Sequence, residues 1–182
     1  ISNKSSGKQG RALAIELNSK GYEVIYIHSS LIQPIPGIEN KTFNTSDELF
    51  SVISSEMKDT ESVFMTAAVS DFILNKTDGK ISRNNGKLNL ELTPNKDIIA
   101  SIKTEFPDVK CIAFSAQVDD DLNFDKLKSK NVDYLVINNI LNNEFGSDEN
   151  KISIINRDEL IYKSGTLSKD EIAQAILIAL DY

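Results

Sequence analysis

The chain has 182 residues, enough for one domain with a substantial core and short for two. Hydrophobic residues at 40% and charged residues at 26% exclude a disordered chain. Lys and Arg number 20 against 27 Asp and Glu, a net charge of −7 that repels phosphate backbones and argues against nucleic acid as a partner. No apolar run approaches the ~20 residues of a bilayer-spanning helix, and no leader pattern is visible, so the expected setting is the cytoplasm with no membrane partner.

In chain order, Gly10 to Lys20 places Leu13, Ala14 and Leu17 on one helical face and stops at Gly21. Tyr22–His28 is short, apolar and rich in β-branched residues, which predicts a buried strand. Pro34, Pro36 and Gly37 mark a loop. A helix is predicted from Ser46 to about Asp59, with Leu49, Val52, Ile53 and Met57 inward, followed by a buried strand over Ser62–Val69. Residues 71–86 are polar and read as one long functional loop. Leu88, Leu90 and Leu92 alternate with polar residues, predicting a half-exposed strand. A helix over Asp97–Glu105, a strand over Val109–Phe114, a helix over Phe124–Lys130 and a strand over Val132–Ile137 come next. Lys151–Ile155 and Glu159–Tyr162 predict a hairpin. The last helix carries a capping box, Ser168 with Glu171, and sets Ile172, Ala175, Ile176 and Leu180 on one face.

This alternation predicts an α/β fold: a Rossmann-like, doubly wound, mostly parallel sheet with a small antiparallel excursion or flap. Ligands in such sheets sit beyond the carboxyl ends of the strands, which selects the segments after Ala68, Phe114 and Asn138. The chain opens on a turn and helix, and the expectation is a strand and turn upstream of Ile1.

Several segments carry candidate chemistry, each with a plainer alternative. Ser5, Ser6, Gly7 and Gly10 stand at a helix N-terminus, suited to an anion or serving as a simple cap; there is no P-loop and no G-x-G-x-x-G. Small residues Thr66, Ala67 and Ala68 precede Asp71, which fits either close approach of a ligand or tight packing under a helix. Lys80 lies in the polar loop, and Lys126 and Lys130 are spaced to face one ligand or solvent. Cys111, the lone cysteine, sits in an apolar run as a structural thiol, and His28 has no companion for a metal. No Ser-His-Asp set or Cys/His zinc pattern is present.

In order, however, the segments resemble phosphopantothenoylcysteine synthetases, in bacteria often the C-terminal half of a bifunctional protein with a flavin-dependent decarboxylase. The resemblance rests on residues 1–10 (Ile-Ser-Asn-Lys-Ser-Ser-Gly-Lys-Gln-Gly), Ala67-Ala-Val-Ser-Asp-Phe72, Lys80-Ile81 and Asn95-Lys-Asp-Ile-Ile-Ala100. It continues through Ala113-Phe-Ser-Ala116, Lys126-x-x-x-Lys130, Val136-Ile-Asn-Asn139, Phe145-Gly-Ser-Asp-x-Asn150 and Glu171-Ile-Ala173. The chain departs from the family at Gln117, where many bacterial members have Glu, at Ser82-Arg83 in place of two lysines, and at Asn138-Asn139-Ile140.

The resemblance implies one ligase domain over 1–182, lacking its N-terminal strand and Gly-rich turn. The implied reaction joins 4′-phosphopantothenate to a nucleotide, CTP in bacterial members and ATP in animal ones, with Mg²⁺; cysteine then takes the acyl group, releasing CMP and pyrophosphate. Lys80 and Asn3 are implied as catalytic, Asn3 holding the acyl intermediate with Ala67 and Ala68. Met65, Thr66, Ala67, Asp71, Lys80, Lys96, Asp97, Ile98, Ile99, Phe114, Lys126 and Lys130 are implied around the nucleotide. A homodimer and a fused or associated decarboxylase are the implied partners. A dinucleotide-binding reductase and a non-catalytic nucleotide-binding relative are the competing readings.

Overall fold

The computed structural model describes residues 5–74, 89–119, 121–139 and 149–182. Helix α1 (Lys8–Ser19) ends where Gly21, at φ 89°, lets its own N–H reach Asn18 O and the Tyr22 N–H reach Leu17 O. That helix stop consumes Tyr22, so β1 covers only Ile25–Ser29 rather than starting at Tyr22. An unforeseen strand, β2 (Glu39–Phe43), pairs parallel with β1. Its sequence, Glu-Asn-Lys-Thr-Phe, is that of a polar edge strand and lacks an apolar period. Helix α2 (Ser46–Glu56), capped by Thr45, tightens into a 3₁₀ turn at Met57–Asp59.

Strand β3 (Ser62–Met65) is half the expected length. Beyond Met65 the N–H groups of Thr66 and Val69 bond back to Phe64 O and Ala67 O, each 3.1 Å, turning the chain off the sheet. The expected long loop also contains structure: β4 (Phe72–Leu74) pairs antiparallel with β5 (Leu92–Pro94), which lies later than the strand expected over residues 88–92. Phe72 and Leu74 are exposed, so no core-facing pattern marked them as a strand. Then follow α3 (Ile98–Glu105), β6 (Lys110–Gln117), α4 (Phe124–Lys130), β7 (Tyr134–Asn139), β8 (Glu149–Ile155), β9 (Leu160–Lys163), the two-residue β10 (Leu167–Ser168) and α5 (Lys169–Ala179).

The central sheet runs β10-β8-β7-β6-β3, with β9 on β8. Its β3-β6-β7 centre is parallel, and β8 to β10 continue it antiparallel. Alternation along the strands feeds two cores. Cys111, Ala113, Leu135 and Ile137 pack under α2, α3 and α4, while Ile112, Val136, Ile152 and Ile154 pack under α1 and α5. Each fully buried aliphatic side chain contributes roughly 1.5–3 kcal/mol. Helices on both faces make the sheet doubly wound, the fold class expected.

The amino end of β6 is tied by a buried lysine. Lys103 Nζ donates to Pro107 O (2.8 Å) and Val109 O (2.9 Å) and pairs with Asp133 (2.8 Å), which also accepts from Cys111 N (2.7 Å). Cys111 is fully buried, and burial pushes its thiol up to about 11, as suits a structural residue. Among the described residues no helix is long and apolar enough to cross a membrane.

Candidate functional site

The carboxyl ends of β3, β6 and β7, the start of β8, and the first turns of α1, α3, α4 and α5 surround an open cleft of about 670 Å³. Its position follows from the sheet: parallel strands end together, and the loops that leave them diverge.

On one side stands α1. Its N-cap, Gly7, is left-handed at φ 69°, no side chain caps the helix, and its first turn holds no acid. That arrangement favours the anion-site alternative, because helix-start N–H groups and the dipole face the cleft. Gly10 permits contact with the loop after β3: a Cβ there would lie 2.5 Å from Thr66 Oγ1 and 3.9 Å from Tyr26 Cε2.

The loop 66–71 forms the floor beside β3. Asn95 fastens it to α3, donating from Nδ2 to Ser70 O (2.8 Å) and from its backbone N to Asp71 O (2.8 Å). Asp97 caps α3, its Oδ1 accepting from Ala100 N at 3.2 Å, while Oδ2 pairs with Lys130 Nζ at 2.5 Å. Both Asp97 oxygens are thus engaged, and its carboxylate fixes Lys130. Lys126 Nζ donates to Ser115 Oγ at 2.8 Å, which draws this ammonium onto the end of β6. Lys96 Nζ sits 3.3 Å over the Phe50 ring, a cation–π contact directed toward α2. Ile98 and Ile99 are both 4% exposed, so their side chains serve the core and only their backbone edges reach the cleft.

Opposite Lys126 is a polar corner. The orientation that satisfies the buried Asn150 amide has its oxygen facing Lys169 Nζ and Asn138 Nδ2 (3.1 Å), and its nitrogen donating to Glu149 O (2.6 Å). Gln9 Nε2 donates to Lys169 O at 3.3 Å, joining α1 to α5 at this corner.

Met65, Thr66, Ala67, Ala68, Asp71, Lys96, Asp97, Ile98, Ile99, Phe114, Lys126 and Lys130 all line the cleft. Asn3 and Lys80 lie outside the described residues. The cleft also holds Gln9, Ser115, Asn150 and Lys169, which sequence reasoning did not single out. A polar residue at the end of an apolar strand was a visible signal for Ser115; Lys169, one residue past a helix cap, gave none. The lining includes Lys8, Lys96, Lys126, Lys130 and Lys169, against Asp71 and Asp97 as its acids. A cleft richer in cations than in acids, in a chain of net charge −7, focuses positive potential where a small anion would enter.

The comparisons agree with this architecture. The chain is 35% identical over 97% of its length to a coenzyme A biosynthesis bifunctional protein, CoaBC, of Thermococcus kodakarensis, covering 45% of that protein. It is 31% identical, again over 97% of its length, to a cysteine/cysteine sulfinic acid decarboxylase from an unknown prokaryotic organism, covering 52% of it. The chain thus spans about half the length of these curated relatives. Its fold matches a crystal structure of the C-terminal domain of CoaBC with a TM-score of 0.79, at 24% identity over 100% of this chain and 86% of that one. The family model of the DNA/pantothenate metabolism flavoprotein C-terminal domain matches residues 1–181, and the chain belongs to that family.

Proposed function

We propose that the chain is a phosphopantothenate–cysteine ligase of coenzyme A biosynthesis. It activates 4′-phosphopantothenate with a nucleoside triphosphate, CTP in preference to ATP, and transfers the acyl group to cysteine. The observation that carries this reading is the lysine-lined cleft at the strand ends of an otherwise acidic chain. A carboxylate and a triphosphate repel each other, and cations placed where they meet offset that repulsion and stabilise the departing pyrophosphate. The printed names of the CoaBC relatives support the same pathway.

In the first step the carboxylate oxygen attacks the α-phosphorus and pyrophosphate leaves, giving an acyl-nucleotide anhydride. In the second the cysteine amine attacks the acyl carbon, loses a proton, and the nucleoside monophosphate leaves. Lys126, held on Ser115, and Lys130, held on Asp97, supply fixed positive charge on the α3–α4 side. The small side chains of Ala67 and Ala68 leave the loop backbone open to the acyl group, with Asn3 beside it. Lys80 supports anhydride formation.

Mg²⁺, when bound, supplies further neutralisation of the triphosphate. Among the described lining residues Asp71 is the carboxylate that would hold it, since Asp97 is engaged. One protein carboxylate fits an ion carried chiefly by substrate phosphates. Phe72, Leu74 and Leu92, exposed at 50%, 38% and 43%, give the β4–β5 ribbon an uncovered apolar face that supports a homodimer. The half-length coverage of the relatives supports a decarboxylase module, fused or associated, in the cytoplasm.

Lys80→Gln tests the assigned chemistry. It should slow pyrophosphate release by roughly 100-fold, with CTP affinity nearly unchanged, because the interaction is made in the transition state. An unchanged rate of release would remove Lys80 from the mechanism.

A further inference from the structure

We propose that Lys169, Asn150 and Asn138 form a relay that turns the Asn138 amide oxygen to the cleft and selects nucleotides whose base carries an exocyclic amine. The proposal rests on the nucleotide-dependent ligase reading and deepens it to base selection. A lysine ammonium only donates, so the Asn150 amide beside it must present its oxygen. The Asn150 nitrogen is spent on Glu149 O at 2.6 Å. Asn138 Nδ2, 3.1 Å from the Asn150 oxygen, donates to it, and the acceptor that Asn138 has left to offer is its own oxygen. Asn150 is 5% exposed, so water does not compete to reverse this order.

The surroundings suit a flat ring. Asn138 pairs in register with Ala116, and Val136 with Phe114. Alternation therefore puts Phe114, Ala116 and Asn138 on the α1–α5 face of the sheet, in the same cleft as Lys169. The Ala116 methyl leaves space over the sheet between the Phe114 ring and the Asn138 amide. An acceptor at the edge of that space pairs with the 4-amine of cytosine or the 6-amine of adenine. Uracil and hypoxanthine present a carbonyl oxygen at the same position, and two acceptors then face each other without a proton between them. Lys169 and Asn150 are positioning residues in this scheme, and Asn138 alone touches the base.

Calorimetric dissociation constants for CTP, UTP, ATP and ITP test it, on the unaltered protein and on Lys169→Met and Asn138→Ala. The unaltered protein should favour CTP over UTP, and ATP over ITP, by about tenfold or more. Both variants should bring these ratios close to one, mainly by weakening the amine-bearing nucleotide. A ratio compares two ligands on one folded sample, so a general loss of stability does not imitate the effect. Equal affinity for CTP and UTP in the unaltered protein, or a preference retained in either variant, would overturn the relay while leaving the ligase reading intact. Failure to bind any of the four nucleotides would overturn both.

Discussion

A methyl group at residue 10 would collide with Thr66 Oγ1, because the start of α1 touches the loop after β3 at that point. Gly10→Ala should therefore cost about 1–3 kcal/mol in urea unfolding and push the loop 66–71 from its place. In a Thr66→Ala background the same substitution should be nearly neutral, since the partner in the clash is gone. A full cost persisting in the double variant would mean that the glycine serves the helix rather than the approach. Single residues also mark where sequence reading succeeds. Ala67, Phe114 and Lys126 were legible because strand-end position and small size or charge are local properties. Lys169 and Asn150 were not, since they meet Gln9 and Asn138 only when α1, α5, β7 and β8 are assembled.

Helix α5 was the most legible element, and its start is also the base of the polar corner. The Ser168 backbone and side-chain donors hold the Glu171 carboxyl below its ordinary value of 4.5. A carboxyl whose folded value is depressed stabilises the fold above the unfolded value, and that contribution is lost as pH falls through the folded one. Tm should therefore drop as the medium is acidified below 4.5, and Glu171→Gln should drop less steeply over the same range. Identical slopes would show that the capping box carries no proton linkage. Other elements were hidden for stated physical reasons. Strand β2 is polar because it lies at an edge, and β4 turns Phe72 and Leu74 outward, so neither displays the alternation of a strand covering a core. Parallel β6 and β7, buried on both faces, announce themselves as continuous apolar runs.

At the scale of the molecule, β1 and β3 each keep one edge without a strand partner among the described residues. Helix α1 reaches both, through the approach of Gly10 to Thr66 and to Tyr26 in β1. Unpaired inner edges leave backbone donors and acceptors unsatisfied, and one further parallel strand would join the β1–β2 pair to the central sheet. A strand-forming segment added ahead of Ile1 should thus raise Tm by ~5 °C or more; an unchanged Tm would show that the edges are satisfied in another way. The doubly wound frame was legible from alternating helices and strands, whereas the division of its strands among separate sheets depends on pairings that no local pattern states. The cleft at its rim is most directly tested by incubating the protein with 4′-phosphopantothenate, cysteine, Mg²⁺ and CTP and following products by mass spectrometry. The expected result is 4′-phosphopantothenoylcysteine formed in equal amount with CMP and pyrophosphate; absence of that product with both CTP and ATP, from the chain with and without the added strand, would contradict the ligase assignment.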